Sequence, residues 1–183
     1  MNIAIFGGSF DPPHLGHLEI IERLHVDFDR LIVMPTFLSP TKSHFSAPPN
    51  KRFEWLCYIC KGFKNVIVSD FEIAQNRVVY AIEWVEHFMQ PKANLTLIIG
   101  ADNAQSLPTW HQYHKLIKLV SFIVIARDGY KNTTSYPTLY IKNDTISSQS
   151  MRQELSQGKT PQGLITSIQQ DVIGFYTNKK GAL

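Results

Sequence analysis

Asn2-Ile3-Ala4-Ile5-Phe6-Gly7-Gly8-Ser9-Phe10-Asp11-Pro12-Pro13-His14-Leu15-Gly16-His17 opens the chain after its first residue. The first five of these residues form an apolar run of strand length that ends at a glycine pair. Leu15, Leu18, Ile21 and Leu24 then recur at helical spacing. Strand, glycine turn and helix in that order begin a βαβ unit. The pattern continues along the chain. Apolar strands are expected at residues 31–34, stopped by Pro35, and at 66–68, 95–99, 122–126 and, shorter, 139–141. Helices are expected around Cys57 and Cys60, over 79–89 and 110–116, from Ser147 onward, and over 168–176, with a frayed tail at 178–181. Strands that are apolar throughout and alternate with helices imply an α/β fold, a parallel sheet covered on both faces. In such a sheet ligands lie beyond the carboxyl ends of the strands, so polar or glycine residues after Phe6, Met34, Ile99 and Ala126 are the first candidates for a site.

The chain has 183 residues, 44% hydrophobic and 18% charged, with ten Gly and ten Pro and no biased tract. That composition suits a single domain over residues 1–183 and argues against disordered and fibrous classes. The net charge is +3 and the basic residues are dispersed, which favours a small anionic ligand over nucleic acid or a membrane surface. No apolar run approaches the ~18 residues of a membrane span, and the amino terminus lacks the pattern of a signal peptide, so a cytoplasmic location is expected. Cys57 and Cys60 form a CxxC, but Phe53, Leu56, Cys57 and Cys60 fall at the spacing of a buried helical face. With no second CxxC or regular His pair, core packing is preferred to a redox or zinc role, and no metal site is assigned.

The turn after the first strand lacks the GK[ST] ending of a P-loop, and its glycines do not fall as GxGxxG. Adjacent glycines still let a backbone lie against a ligand. His14 and His17 stand one turn apart on one face at the amino end of the first helix, where unsatisfied N–H groups and a partial positive charge favour a phosphate. Alternative readings are a zinc pair, for which no third ligand is near, and a helix cap with ordinary surface histidines. Two histidines beside a glycine turn at a strand's carboxyl end tip the balance toward phosphoryl contacts.

The string from Gly7 to His17 resembles the signature of the HxGH nucleotidylyltransferases, and within them the bacterial nicotinate-nucleotide adenylyltransferases, which usually carry GGSFDPxHxGH. Adenylyltransferases that make dephospho-coenzyme A typically have Thr in place of the first His, so His14 points away from that branch. Ile146-Ser147-Ser148-Gln149-Ser150-Met151-Arg152 resembles the family's ISSTxxR, with Gln149 for the usual Thr. Gly100-Ala101-Asp102 and Leu107-Pro108-Thr109-Trp110 resemble its GxD and tryptophan segments. The resemblance spans nearly the whole chain and implies a doubly wound, Rossmann-like sheet.

It also implies a reaction and a division of residues. ATP and nicotinate mononucleotide would give nicotinate adenine dinucleotide and pyrophosphate, with Mg2+ carried in by ATP. His14 and His17 would neutralise charge in the transition state. Gly7, Gly8, Ser9 and Phe10, with Gly100, Asp102, Ser147, Ser148 and Arg152, would bind ATP. Lys42 in the long loop after Pro35, Tyr80, Trp110 and Arg127 would serve the acceptor, Trp110 by stacking on the pyridine ring. The family's P-S-Y-T segment is reduced here to Val78-Val79-Tyr80-Ala81, Thr36 stands where Asn is common, and His111 follows Trp110 where Tyr is frequent. These departures touch the acceptor side more than the ATP side. His25, His44, His87, His111 and His114 have no motif and are expected on the surface or in packing. The resemblance fits either a monomer or a homodimer. The competing functions are a sibling enzyme using nicotinamide mononucleotide or phosphopantetheine, and a noncatalytic nucleotide-binding module.

Overall fold

Ile3 and Ile5 face one side of the first strand and Ala4 and Phe6 the other, and each pair is buried in a different apolar cluster. A strand with both faces buried belongs at the centre of a covered sheet. The computed structural model, which describes residues 1–39 and 44–178, places it there. The strands are β1 (Asn2–Gly8), β2 (Arg30–Pro35), β3 (Val66–Val68), β4 (Asn94–Gly100), β5 (Ser121–Ile125) and β6 (Thr138–Leu139). All neighbours pair in parallel, in the order β3-β2-β1-β4-β5-β6. The order reverses between β1 and β4, which opens a crevice at their carboxyl ends.

Helices α1 (Leu15–Leu24) and α2 (Pro49–Cys60) cover one face, where Ile20, Ile21, Leu24, Leu56 and Cys60 pack with Ala4, Phe6, Leu31, Val33 and Ile98. The short α3 (Phe71–Gln75) follows β3. On the opposite face, α4 (Ala81–Phe88), α5 (Ala101–Ser106) and α6 (Tyr113–Leu119) bring Ile82, Val85, Ala104 and Leu116 onto Ile3, Ile5, Leu97 and Val124. The chain returns through α7 (Ser148–Ser156) and α8 (Gln169–Asn178), whose Met151, Leu155, Val172 and Tyr176 form a third cluster with Trp55 and Ile59 of α2. The doubly wound architecture is the one expected, and among the described residues no helix is long and apolar enough to cross a membrane.

Several local expectations change. Gly7 and Gly8 are strand residues, in register with Met34 and Pro35, rather than a turn. The turn's left-handed residue is instead Phe10, at φ 49°. A Cβ on Gly7 would meet the Trp84 ring at 2.6 Å, and one on Gly8 would meet the Phe10 ring at 3.1 Å. The missing side chains therefore make room for aromatic packing. Residues 101–109 are helical, as α5 and a 3-10 turn at Leu107–Thr109, and the expected helix at 110–116 begins only at Tyr113. On α2 the buried face comprises Arg52, Trp55, Leu56, Ile59 and Cys60. Cys57 is exposed and Cys60 buried, so only one cysteine belongs to the core. Burial raises both thiols, Cys60 to about 12, which keeps them protonated at neutral pH. Residues 179–181 of the expected tail lie outside the described residues.

Candidate active site

Beyond β1 the chain turns through Ser9 and Phe10, crosses a cis bond at Asp11–Pro12, and enters α1 with an extended His14 as N-cap. The His14 backbone N–H donates to His17 Nδ1 at 3.2 Å, and the two rings lie against each other at a 33° tilt with centroids 3.7 Å apart. The His17 ring also meets the edge of Phe10 at 4.8 Å. His14 is only 6% exposed, and its Nδ1 has no hydrogen-bond partner. Burial, reinforced by the charge of Arg127, pushes the His14 pKa down to about 3. Burial, His14 and Arg127 in turn hold His17 well below the ordinary imidazole range. Both rings are neutral at pH 7. Because His17 Nδ1 accepts a hydrogen bond, its proton sits on Nε2, leaving a neutral donor there.

Four groups that carried no separate role in the sequence reading hold this turn and the segment after β2. The buried Asp11 carboxylate accepts the backbone N–H groups of Ser46 and Ala47, each at 2.8 Å, and the Tyr176 hydroxyl at 2.6 Å. Arg52, wholly buried, donates to the carbonyls of Ser9, Thr36 and Ala47 at 2.7, 2.7 and 3.1 Å. Its fork joins the β1 turn to both sides of the segment that follows β2. Burial lowers the Arg52 pKa, opposed chiefly by the charge of Asp11. Glu72, also buried, accepts the Phe37 N–H at 2.8 Å, and burial pushes its carboxyl up to about 7. The signals available in sequence were an acid inside a Pro-rich turn and an Arg on the buried stripe of α2.

The amino end of α7 docks on the same turn. Ser147 caps it, its hydroxyl accepting the Ser150 N–H at 3.1 Å, while the Ser148 hydroxyl donates to the Pro12 carbonyl at 2.9 Å. Arg152 Nη1 donates to the Asp11 carbonyl at 2.5 Å and lies 3.6 Å from its carboxylate. Across the crevice, Asp102 Oδ2 accepts from Arg127 Nη1 at 3.2 Å. Asp102 Oδ1 is buried without a partner and occupies the space that a side chain on Gly100 would need. The two residues expected on opposite substrates, Asp102 and Arg127, are thus partners, and Arg127 acts electrostatically on both histidines.

Tyr80 caps α4 with its side chain partly exposed, and its ring lies 4.4 Å from His111. His111, expected among the surface histidines, therefore joins the acceptor-side candidates. Trp110 is partly buried against the cluster shared by α4, α5 and α6. Lys42 lies outside the described residues. His25 packs on Phe63, His87 stacks on Phe71 at 4.0 Å, and His114 lies beside Tyr113. Among the described residues no group of three or more His, Cys, Asp or Glu side chains is arranged to hold a metal.

The cytidylyltransferase-like family model matches residues 5–154. A protein of Sulfurimonas denitrificans named "Probable nicotinate-nucleotide adenylyltransferase" is 45% identical over 161 residues, 87% of this chain and 88% of that one. The chain belongs to the nicotinate-nucleotide adenylyltransferase family. A second family member, from Campylobacter fetus and of the same name, is 42% identical over 98% of each chain. The fold also matches the Plasmodium falciparum nicotinic acid mononucleotide adenylyltransferase complexed with NaAD, with a TM-score of 0.75, 19% identity, and coverage of 98% of this chain and 96% of that one.

Proposed function

We propose that the protein transfers the adenylyl group of MgATP to nicotinate mononucleotide, forming nicotinate adenine dinucleotide and pyrophosphate. The observation that carries this reading is the close His14–His17 pair, both rings neutral and His14 buried, at the point where the strand order reverses. The family's named relatives supply the choice of acceptor.

A phosphate monoester has a second pKa of about 6, so the mononucleotide phosphate is largely a dianion at neutral pH and needs no general base. One of its oxygens forms a bond to the α-phosphorus as the bond to the β-phosphate oxygen breaks, and pyrophosphate departs with that electron pair. Charge grows on the nonbridging and leaving oxygens, where preorganised donors act most strongly. His17 offers Nε2–H, and His14 stands beside it. Arg152 and the amino end of α7 add positive potential, and Asp102 Oδ1 is a free acceptor for a ribose hydroxyl. Magnesium would enter with ATP and supply positive charge at its phosphates, and among the described residues no group of three or more His, Cys, Asp or Glu would hold it. Tyr80, Trp110 and His111 form the acceptor side.

Pyrophosphate release measured with MgATP and a panel of nicotinate mononucleotide, nicotinamide mononucleotide and phosphopantetheine tests the reading. Nicotinate mononucleotide should give the highest kcat/KM. Faster release with another acceptor would assign a sibling reaction, and ATP binding without release from any acceptor would leave a noncatalytic module.

A further inference from the structure

Tyr176 lies on α8, 165 residues away from Asp11 in sequence, yet its hydroxyl is buried against the Asp11 carboxylate at 2.6 Å. The same carboxyl group accepts the N–H groups of Ser46 and Ala47. We propose that Tyr176 is a positioning residue for adenylyl transfer: through Asp11 it fixes the turn from Ser9 to His14 against residues 46–47, and so sets the placement of the two histidines. This inference rests on the reaction proposed above.

A phenol adds something specific at this position. Asp11 is 2% exposed, so its charge must be met by donors rather than water. Arg152 is too far from the carboxylate, at 3.6 Å, to replace a short hydrogen bond. Without the hydroxyl, Asp11 Oδ1 keeps only the Ala47 N–H among the donors described, and the carboxylate is drawn toward Arg152. Such a shift moves the turn that carries His14, and small displacements of reacting groups cost rate more than binding. Burial and the Asp11 charge both raise the Tyr176 pKa, so the hydroxyl stays a donor across the working pH range.

The rest of α8 supplies a control. Asp171 accepts from Trp55 Nε1 at 2.6 Å and from Lys51 Nζ at 2.8 Å, which ties the helix to α2 without touching Asp11. Tyr176→Phe keeps the ring and its stacking on Trp55. It should lower kcat about five- to tenfold with the KM of each substrate within about twofold, and should speed hydrogen exchange at the Ser46 and Ala47 amides, followed by NMR. Asp171→Asn should lower Tm while leaving kcat and those two amides as in the unmodified protein. A Tyr176→Phe protein with unchanged kcat and exchange overturns the inference, as does an equal loss of kcat in Asp171→Asn, which would make the whole helix responsible. Absence of turnover in the unmodified protein would fail the proposed reaction instead, and exchange at Ser46 and Ala47 would then decide the role of Tyr176 alone.

Discussion

The two sides of the crevice are built differently. On the histidine side, charged groups are buried and bonded to the backbone before any ligand arrives: Asp11, Arg52 and Glu72 are at most 2% exposed, and each meets backbone groups from another segment. On the side of Tyr80, His111 and Trp110, aromatic rings are partly exposed and the nearby ion pair, Arg77–Glu83, lies at the surface. Preorganised dipoles serve charge that develops during a reaction, because they need not reorganise as it appears. Exposed rings serve a ground-state ligand that brings its own flat surface. The first side therefore fits transition-state stabilisation and the second fits acceptor binding.

The sharpest way to break that division is His17→Ala. Removal of one preorganised donor costs about a hundred- to a thousandfold in kcat, and here the KM for ATP should change little. Equal losses in ATP affinity and turnover, read from steady-state kinetics and direct binding, would make the histidine a ground-state contact. Arg152→Ala comes next. A hydrogen bond to a charged group contributes about 1.5–3 kcal/mol, so kcat/KM for ATP should fall by roughly ten- to a hundredfold. Unchanged kcat/KM would remove Arg152 from the nucleotide site and leave it as a brace for Asp11.

A third effect lies in stability. His14 has a folded pKa near 3 against an ordinary 6.5. Between those values the unfolded chain binds a proton that the folded chain refuses, so stability is complete above pH 6.5 and is lost as pH falls toward 3. His14 alone should contribute a slope of about 1.4 kcal/mol per pH unit there. Urea titrations at pH 5.5 and 4.5 should show that slope, and it should be smaller in His14→Asn. Equal slopes in both proteins would mean that His14 titrates freely and that its side of the crevice is wetter than its burial implies.

The two sides also differed in how readily they could be read from sequence. Apolar runs located all six strands to within a few residues, most plainly the central β1, β2 and β4, which are buried on both faces. His14, His17 and Ser147 were visible because helix ends carry local signals. Arg52 was not. A charged residue on a helix normally reads as solvated, and its burial here depends on carbonyls from three segments that only the fold brings to its fork. Tyr176 is a stronger case, since nothing near it in sequence hints at a partner 165 residues away. The short helices α3 and α5 were missed for a related reason. Five or six residues hold too few turns to show a period, and such helices depend on tertiary packing. Gly7 read as part of a turn, whereas it is a strand residue and the space it leaves is taken by Trp84.

The smallest effect tests the acceptor side. Trp110 packs part of its ring on the core of α4, α5 and α6, so its replacement by Ala removes both packing and any stacking surface. Aromatic stacking contributes about 0.5–1.5 kcal/mol beyond burial, which predicts a rise of roughly two- to tenfold in the KM for nicotinate mononucleotide, with the KM for ATP unchanged. Trp110→Phe, which retains an aromatic face, should recover most of that loss. Those two results together would separate stacking from packing, because a purely structural tryptophan would lower Tm and weaken both substrates alike. A loss confined to ATP would place the ring on the other side of the crevice, and the contrast between a bonded catalytic wall and an open aromatic one would then have to be redrawn around Tyr80 and His111 alone.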